Sequence, residues 1–322
     1  MKKTILLSVC LFVASLSTFG ASLSSIMLQH NGSVTMYESD KMATAISNAV
    51  KGDTIYLSEG SFVGDFTINK EITIIGAGQL TIVQGNITIA IDNTPSLTAH
   101  LLDAIKVPSS YKVTVTKAIK NLKIRKCYIY HFACSANVTD LDMNRCNLYY
   151  FYPYTYVKSG NFLNCYIYEL RGTDGQINTI NYINCNVYNI YNYNGTYFAG
   201  TFINSIIRAA SNNSFNNCSF INSAYPSSFS FTASSSIQNC YQGSFTFSQY
   251  TEEKTGVPYY TVDSEWLQSN GYIGTDGITI IGMFGGSAPY SLVPNVPTVT
   301  ESKVSVDTAT KKLNVTLKVT AN

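Results

Sequence analysis

One short motif recurs through the middle of the chain and constrains its fold more than any other feature. The segments are LKIRKCYIY around Cys127, LDMNRCNLY around Cys146, NFLNCYIY around Cys165, NYINCNVY around Cys185, SFNNCSFI around Cys218 and SIQNCYQG around Cys240. Successive cysteines lie 19, 19, 20, 33 and 22 residues apart. A period near 20 is the mark of a solenoid in which each repeat supplies one rung. Three residues before the cysteines stand Ile124, Met143, Phe162, Tyr182, Phe215 and Ile237. Two residues after them stand Ile129, Leu148, Ile167, Val187, Phe220 and Gln242. Because strand side chains alternate, the cysteine and the second of these columns share the inner face. The residue just before the cysteine becomes asparagine at Asn164, Asn184, Asn217 and Asn239, which tolerates turn conformations and reads as a corner ladder. Strand, tight corner and strand at this period describe a parallel β-helix.

The gap of 33 has two readings. TFINSIIR fits the template with Ser205 in the cysteine slot, leaving only 13 residues before Cys218. Either that rung is trimmed, or residues 195–208 form an excursion. Residues 54–250 have room for ~9–10 rungs, a rod of ~45 Å at the spacing between strands. DKMATAISNAVKG is expected to cover the open N-terminal end as a helix, with Asp40 as N-cap, Gly52 as its stop, and Met42, Ala45, Ile46, Ala49 and Val50 on one face.

The chain opens MKKTILLSVCLFVASLSTFGAS, two lysines before a short apolar run and small residues, which reads as a secretory signal over 1–21. Cys10 lies inside the run after Val9, unlike a lipid-bearing cysteine, and no later stretch has the length of a transmembrane helix. Removing Lys2 and Lys3 leaves 19 basic and 19 acidic residues, which argues against nucleic acid as a partner. The segments are then 22–53 (N-terminal approach and capping helix), 54–250 (β-helix) and 251–322 (C-terminal tail). Localisation is periplasm, outer surface or extracellular. In the tail, residues 303–319 (KVSVDTATKKLNVTLKV) alternate as a β-hairpin, after the extended VPNVP at 293–297.

LQHNGSVTMY, AISNAVKGDTIYLSEGSF and INKEITIIGAG within 28–78, together with GTDGITIIGMFGGSAPYSL at 274–292, resemble segments of pectin-lyase-like right-handed parallel β-helix proteins secreted by Bacteroidota. The resemblance implies fold and export. It says little of activity, because lyases, hydrolases, adhesins and inert rods share this architecture.

Lyases of that kind use a basic residue as proton acceptor, with Arg, Lys or Ca²⁺ neutralising a uronate; the related hydrolases pair aspartates. Here the candidates are Arg125, Asp140, Asp142 and Arg145, with Asp140 and Asp142 facing one way if both lie on a strand. The bland alternative stacks Asp142 on Lys123 as an ion pair between rungs. The hydrolase signatures Asn-Thr-Asp, Asp-Asp and Arg-Ile-Lys are absent, and KIRK at 123–126 reverses the last. His30, His100 and His131 have no ligand-spaced neighbours and no C-x-x-C occurs, so neither a metal nor another cofactor is expected; Ca²⁺ enters only under the lyase alternative. GTDG at 172–175 and 274–277 reads as turn chemistry.

The chain holds 24 tyrosines. Tyr130, Tyr149, Tyr168 and Tyr188 stand three residues after their cysteines, and Tyr128 and Tyr166 one residue after, alternating there with Asn147 and Asn186. Both columns are expected to face outward. Three readings stand: a contact surface for a glycan or protein, aromatic stacking that only stabilises strands, or a face covered by the tail. The leading reading is a secreted, non-catalytic β-helix presenting these tyrosines. The alternatives are a polysaccharide lyase or glycoside hydrolase acting on uronic-acid polymers, and a structural envelope rod. The cysteines are expected as a stack of buried reduced thiols behaving as small hydrophobes, without disulfides: rungs ~4.8 Å apart hold Cβ atoms farther apart than a disulfide prefers.

Overall fold

The computed structural model describes residues 24–92, 100–152, 156–171, 179–191, 200–210, 214–243, 250–251, 261–262, 269, 273–281, 286, 298–307 and 312–320. Residues 1–21, expected as a secretory signal, Trp266, VPNVP and the first GTDG lie outside them. The described chain is an all-β parallel solenoid. Its first sheet has twelve strands: an antiparallel hairpin, then ten parallel strands from Thr54–Leu57 to Ser236–Gln238. A second sheet of thirteen strands receives the chain as it leaves the first. Core side chains from both sheets fill the interior. No described helix is long and apolar enough to cross a membrane.

The corner between the two sheets explains the motif. Ala104, Lys126, Arg145, Asn164, Asn184, Asn204, Asn222 and Asn239 succeed one another along the rod, all with φ between +46° and +55°. That left-handed conformation costs a typical L-residue ~1–2 kcal/mol and costs asparagine less, so asparagine dominates the later rungs. The turn also diverts main-chain groups from the ladder, and the following residue satisfies them. Cys146 N–H donates to Cys165 Sγ (3.4 Å), while Cys165 Sγ donates to the carbonyls of Met143 and Leu163, each at 3.4 Å. Ser205 does the same work: it accepts from Cys185 N–H (3.0 Å) and donates to Tyr182 O (2.9 Å). The slot therefore requires a small side chain that both donates and accepts. The expected small hydrophobes are also polar bridges.

This corrects the assignment after Cys185. The slot column runs Cys185, Ser205, Ser223, Cys240, because Phe202 pairs with Phe220 and Phe220 with Ile237. Cys218 sits at another corner, following left-handed Asn217. Phe202 and Phe220 thus continue the inner column, and rings stack from Phe162 to Tyr182 (5.2 Å), Phe202 (4.9 Å) and Phe220 (4.8 Å). All seven described cysteines are free and buried.

At the N-terminal end, Ser25–His30 and Ser33–Glu38 form a hairpin through Asn31-Gly32, both with positive φ. The helix Met42–Asn48 buries Met42, Ala45 and Ile46 in the rod's core. Two details differ from expectation. Asp40 binds the Lys41 ammonium (2.6 Å) rather than capping, and the helix stops at Ala49, leaving Val50 48% exposed. In the tail, Thr298–Asp307 and Lys312–Thr320 pair antiparallel.

Candidate tyrosine corner

The strands Tyr128–Cys134, Asn147–Tyr152, Tyr166–Arg171 and Asn186–Tyr191 pair in parallel within the second sheet. Their inner residues are spaced by three rather than two: Ile129 and Phe132, Leu148 and Phe151, Ile167 and Leu170, Val187 and Ile190 are all buried. Each strand therefore bends, and two consecutive residues face outward at the bend. The first forms the expected ladder. Tyr130 stacks on Tyr149 (4.7 Å, 16°), Tyr149 on Tyr168 (4.2 Å, 17°) and Tyr168 on Tyr188 (4.7 Å, 16°), and the Arg208 guanidinium lies 4.0 Å over Tyr188. The rings are half-buried, because each hides its neighbours' faces and presents its edge to solvent. Burial, and then the Tyr168 hydroxyl, push the Tyr149 phenol well above its ordinary pKa, so that phenol stays neutral.

Beside the ladder runs the second outward column: His131, Tyr150, Glu169 and Asn189, in register. Two residues further along the strands stand Ala133, Tyr152, Arg171 and Tyr191. Arg171 Nε donates to Glu169 Oε1 (2.7 Å), and Tyr152 OH donates to the same oxygen (3.3 Å). The Arg171 guanidinium also lies over Tyr152 (4.2 Å) and Tyr191 (5.2 Å). His131 packs edgewise on Tyr152 (4.8 Å); burial, Lys112 and Arg171 lower its pKa. Sequence reading missed this strip because its chemistry changes at every rung, and only register aligns it.

The other predicted column departs from expectation. Tyr128 is half-buried, with Lys106 5.4 Å from its ring, but Tyr166 is only 2% exposed, and Asn147 and Asn186 are buried with it. Tyr166 points outward and is nevertheless covered, so it is no contact residue. Described tail residues lie along the adjoining corner. Asp276 N–H donates to Asn239 Oδ1 (2.7 Å), Thr275 Oγ1 donates to the same oxygen (3.0 Å), and Asn239 Nδ2 donates to Asp276 Oδ2 (2.9 Å). Gly286 sits so close to Asn204 that a Cβ there would fall on its amide. The second GTDG is a turn: Asp276 accepts from the N–H groups of Ile278 (3.0 Å) and Thr279 (2.9 Å).

The four catalytic candidates do not form one cluster. Arg125 faces outward on the first sheet and its Nε donates to Asp103 Oδ2 (2.6 Å), a carboxylate only 4% exposed that sequence reading overlooked. Register could have found it, since LLDAIKV repeats the apolar spacing of LKIRKCYI, with Asp103 opposite Arg125. Asp142 lies opposite Lys123 in register, but among the described residues the ion pairs of this region are Arg125–Asp103 and Lys120–Asp140 (4.0 Å). Asp140 is not on a strand: it occupies a left-handed corner and accepts from Ser159 Oγ (2.8 Å), so it does not share a face with Asp142. Arg145 occupies the other corner. His100, near Arg125, Asp103 and Asp142, has its pKa lowered by burial and by Arg125. Among the described residues, no three His, Cys, Asp or Glu side chains gather as metal ligands. No family model matches the chain, and no curated protein or solved structure matches it.

Proposed function

We propose that this is a secreted or cell-surface, non-catalytic β-helix of the right-handed pectin-lyase-like type, with helix 42–48 closing its N-terminal end and a tyrosine corner that contacts glycan. One observation carries the reading: the Tyr130–Tyr149–Tyr168–Tyr188 ladder is half-exposed and continuous with Tyr150 and Glu169, so aromatic edges, phenols and a carboxylate form one surface. Stacking geometry determines how such a surface binds. With ring faces turned on one another, contact falls to ring edges and hydroxyls rather than to sugars lying flat on the rings. The test is a polysaccharide and host-glycan array probed with the wild type and with Tyr149/Tyr168/Tyr188→Ala. Binding lost in the variant supports the reading; equal binding by both, or none by the wild type, ends it.

A second reading, lyase action on a uronan, is favoured by the Arg125–Asp103 pair with a neutral His100 nearby. Ultraviolet absorbance from an unsaturated product, lost on Arg125→Ala, would establish it. A protein that neither binds nor turns over any glycan would be the structural rod.

A further inference from the structure

We infer that the glycan is a neutral, extended polysaccharide lying along the rod axis on the strip beside the tyrosine ladder, from Asp65 to Asn189; this rests on the glycan-contact reading above. Register carries the inference. The column His131–Tyr150–Glu169–Asn189 continues toward the N-terminus, because Val113 pairs with Phe132 and with Ile87, and Ile87 with Phe66. Lys112, Asn86 and Asp65 therefore precede His131 in one line. Asn86 Nδ2 donates to both Asp65 carboxylate oxygens (3.1 Å), and Asn86 Oδ1 accepts from Lys112 N–H (3.2 Å), which fixes the amide in the line. The parallel column of Ala133 and Tyr152 continues likewise through Thr114, Thr88 and Thr67.

The line crosses seven strands, about 29 Å at the spacing between strands. Its groups are amides, hydroxyls, an imidazole, two carboxylates, an ammonium and a guanidinium, which pair well with hydroxyl groups offering both donors and acceptors. Glu169 accepts from Tyr152 and Arg171 through Oε1. Asp65, Lys112, Glu169 and Arg171 sum to zero charge, and the low pKa of His131 keeps the imidazole neutral near pH 7. An acidic polymer would gain no net attraction here, whereas a neutral one would avoid stripping water from an unmatched charge. Lys112 and Tyr191 are exposed, and Asn86, His131, Tyr150 and Glu169 half-buried, so the line is open along its length. Ala133, the smallest residue of its column, sets the face back between Thr114 and Tyr152.

The experiment measures binding of cello-, manno- and xylo-oligosaccharides of increasing length by titration calorimetry, with polygalacturonate as the acidic comparator. Affinity for one neutral series should climb with length until the strip is filled and then level off, with little dependence on salt. Lys112→Ala, one rung beyond Tyr130 and outside the Tyr149/Tyr168/Tyr188 set, should weaken the longest oligomers about fivefold, the loss of roughly one hydrogen bond, and leave the shortest unchanged. A flat length dependence, or indifference to Lys112→Ala alongside loss in Tyr149/Tyr168/Tyr188→Ala, would overturn the strip and leave the tyrosine-corner reading standing. Preference for polygalacturonate that fades with salt would overturn the neutral ligand. Failure of every glycan to bind would remove both readings.

Discussion

Tyr166 and Tyr168 stand two residues apart on one strand and point the same way, yet they have opposite fates. Tyr168 is half-buried within an open ladder, and Tyr166 is 2% exposed. The difference follows whole columns. Asn147, Asn186, Ile206 and Ala224 share the slot of Tyr166, and all are buried. Ile281 is fully buried too, although it is no member of the rod's internal core. In a solenoid, alternation determines which side chains leave the core. Whether an outward residue meets water depends on chain that folds back from far along the sequence, and here Asp276 and Gly286 lie against Asn239 and Asn204 of the asparagine corner.

The largest test of this contrast substitutes each tyrosine in turn. Tyr166→Ala empties a covered site and should cost about 3 kcal/mol, the scale of a buried aromatic truncation. Tyr168→Ala removes two ring contacts at a solvent-facing edge and should cost about 1 kcal/mol. Denaturant melts of both variants measure the pair, and equal costs would break the distinction between the columns. Glycan binding should show the reverse order, weakened by Tyr168→Ala and unaffected by Tyr166→Phe.

A second test lifts the returning segment. Gly286 has φ +73°, and a side chain there would meet the Asn204 amide. Gly286→Val should cost on the order of 1–3 kcal/mol through the strained backbone, on top of the clash. The expected result is faster proteolysis within 274–286 with the rod's circular dichroism unchanged. Tetranitromethane should then nitrate Tyr166 more nearly as it nitrates Tyr168. Unchanged protection of Tyr166 would show that this part of the column is covered by something other than the segment held at Gly286.

Much of the rod was legible because a solenoid repeats its instructions. The Cys165 slot, the Asn164 corner and the inner Phe162 and Ile167 each recur, and repetition separates a rule from an accident. Ser205 fitted the slot by template, but Ser223 was missed, since the requirement is a group that donates and accepts, not a sulfur. FINS at 202–205 and again at 220–223 carried that signal. The Asn-Gly pair at 31–32 likewise marked the N-terminal hairpin. Glu169, Arg171 and Asp103 were not legible as a site, because each occurs once and acquires meaning only from its neighbour one rung away. The burial of Tyr166 was beyond any local pattern, being decided by tertiary contact.

The smallest test uses the open side's one ionisable ring near neutrality, which the covered column of Asn147, Tyr166 and Asn186 lacks. Burial holds the His131 pKa below 6.5, with Lys112 and Arg171 adding to the effect. The unfolded chain, near 6.5, therefore binds the proton first as pH falls. Wherever the unfolded state holds more protons, stability rises with pH. The His131 contribution is thus fully present above pH ~6.5 and is lost as pH drops from there toward its folded value. His100 is shifted in the same direction, again by burial first, so it contributes a parallel loss. Denaturant midpoints between pH 7.5 and 5 should fall for the wild type, fall less for His131→Gln, and least for His100→Gln/His131→Gln. The neutral glutamine retains polarity without the proton, so only the slope should change, not the stability order at pH 7.5. If His131→Gln keeps the full wild-type slope, the imidazole is no drier in the fold than in water, and the strip beside the tyrosine ladder is as wet as any exposed surface.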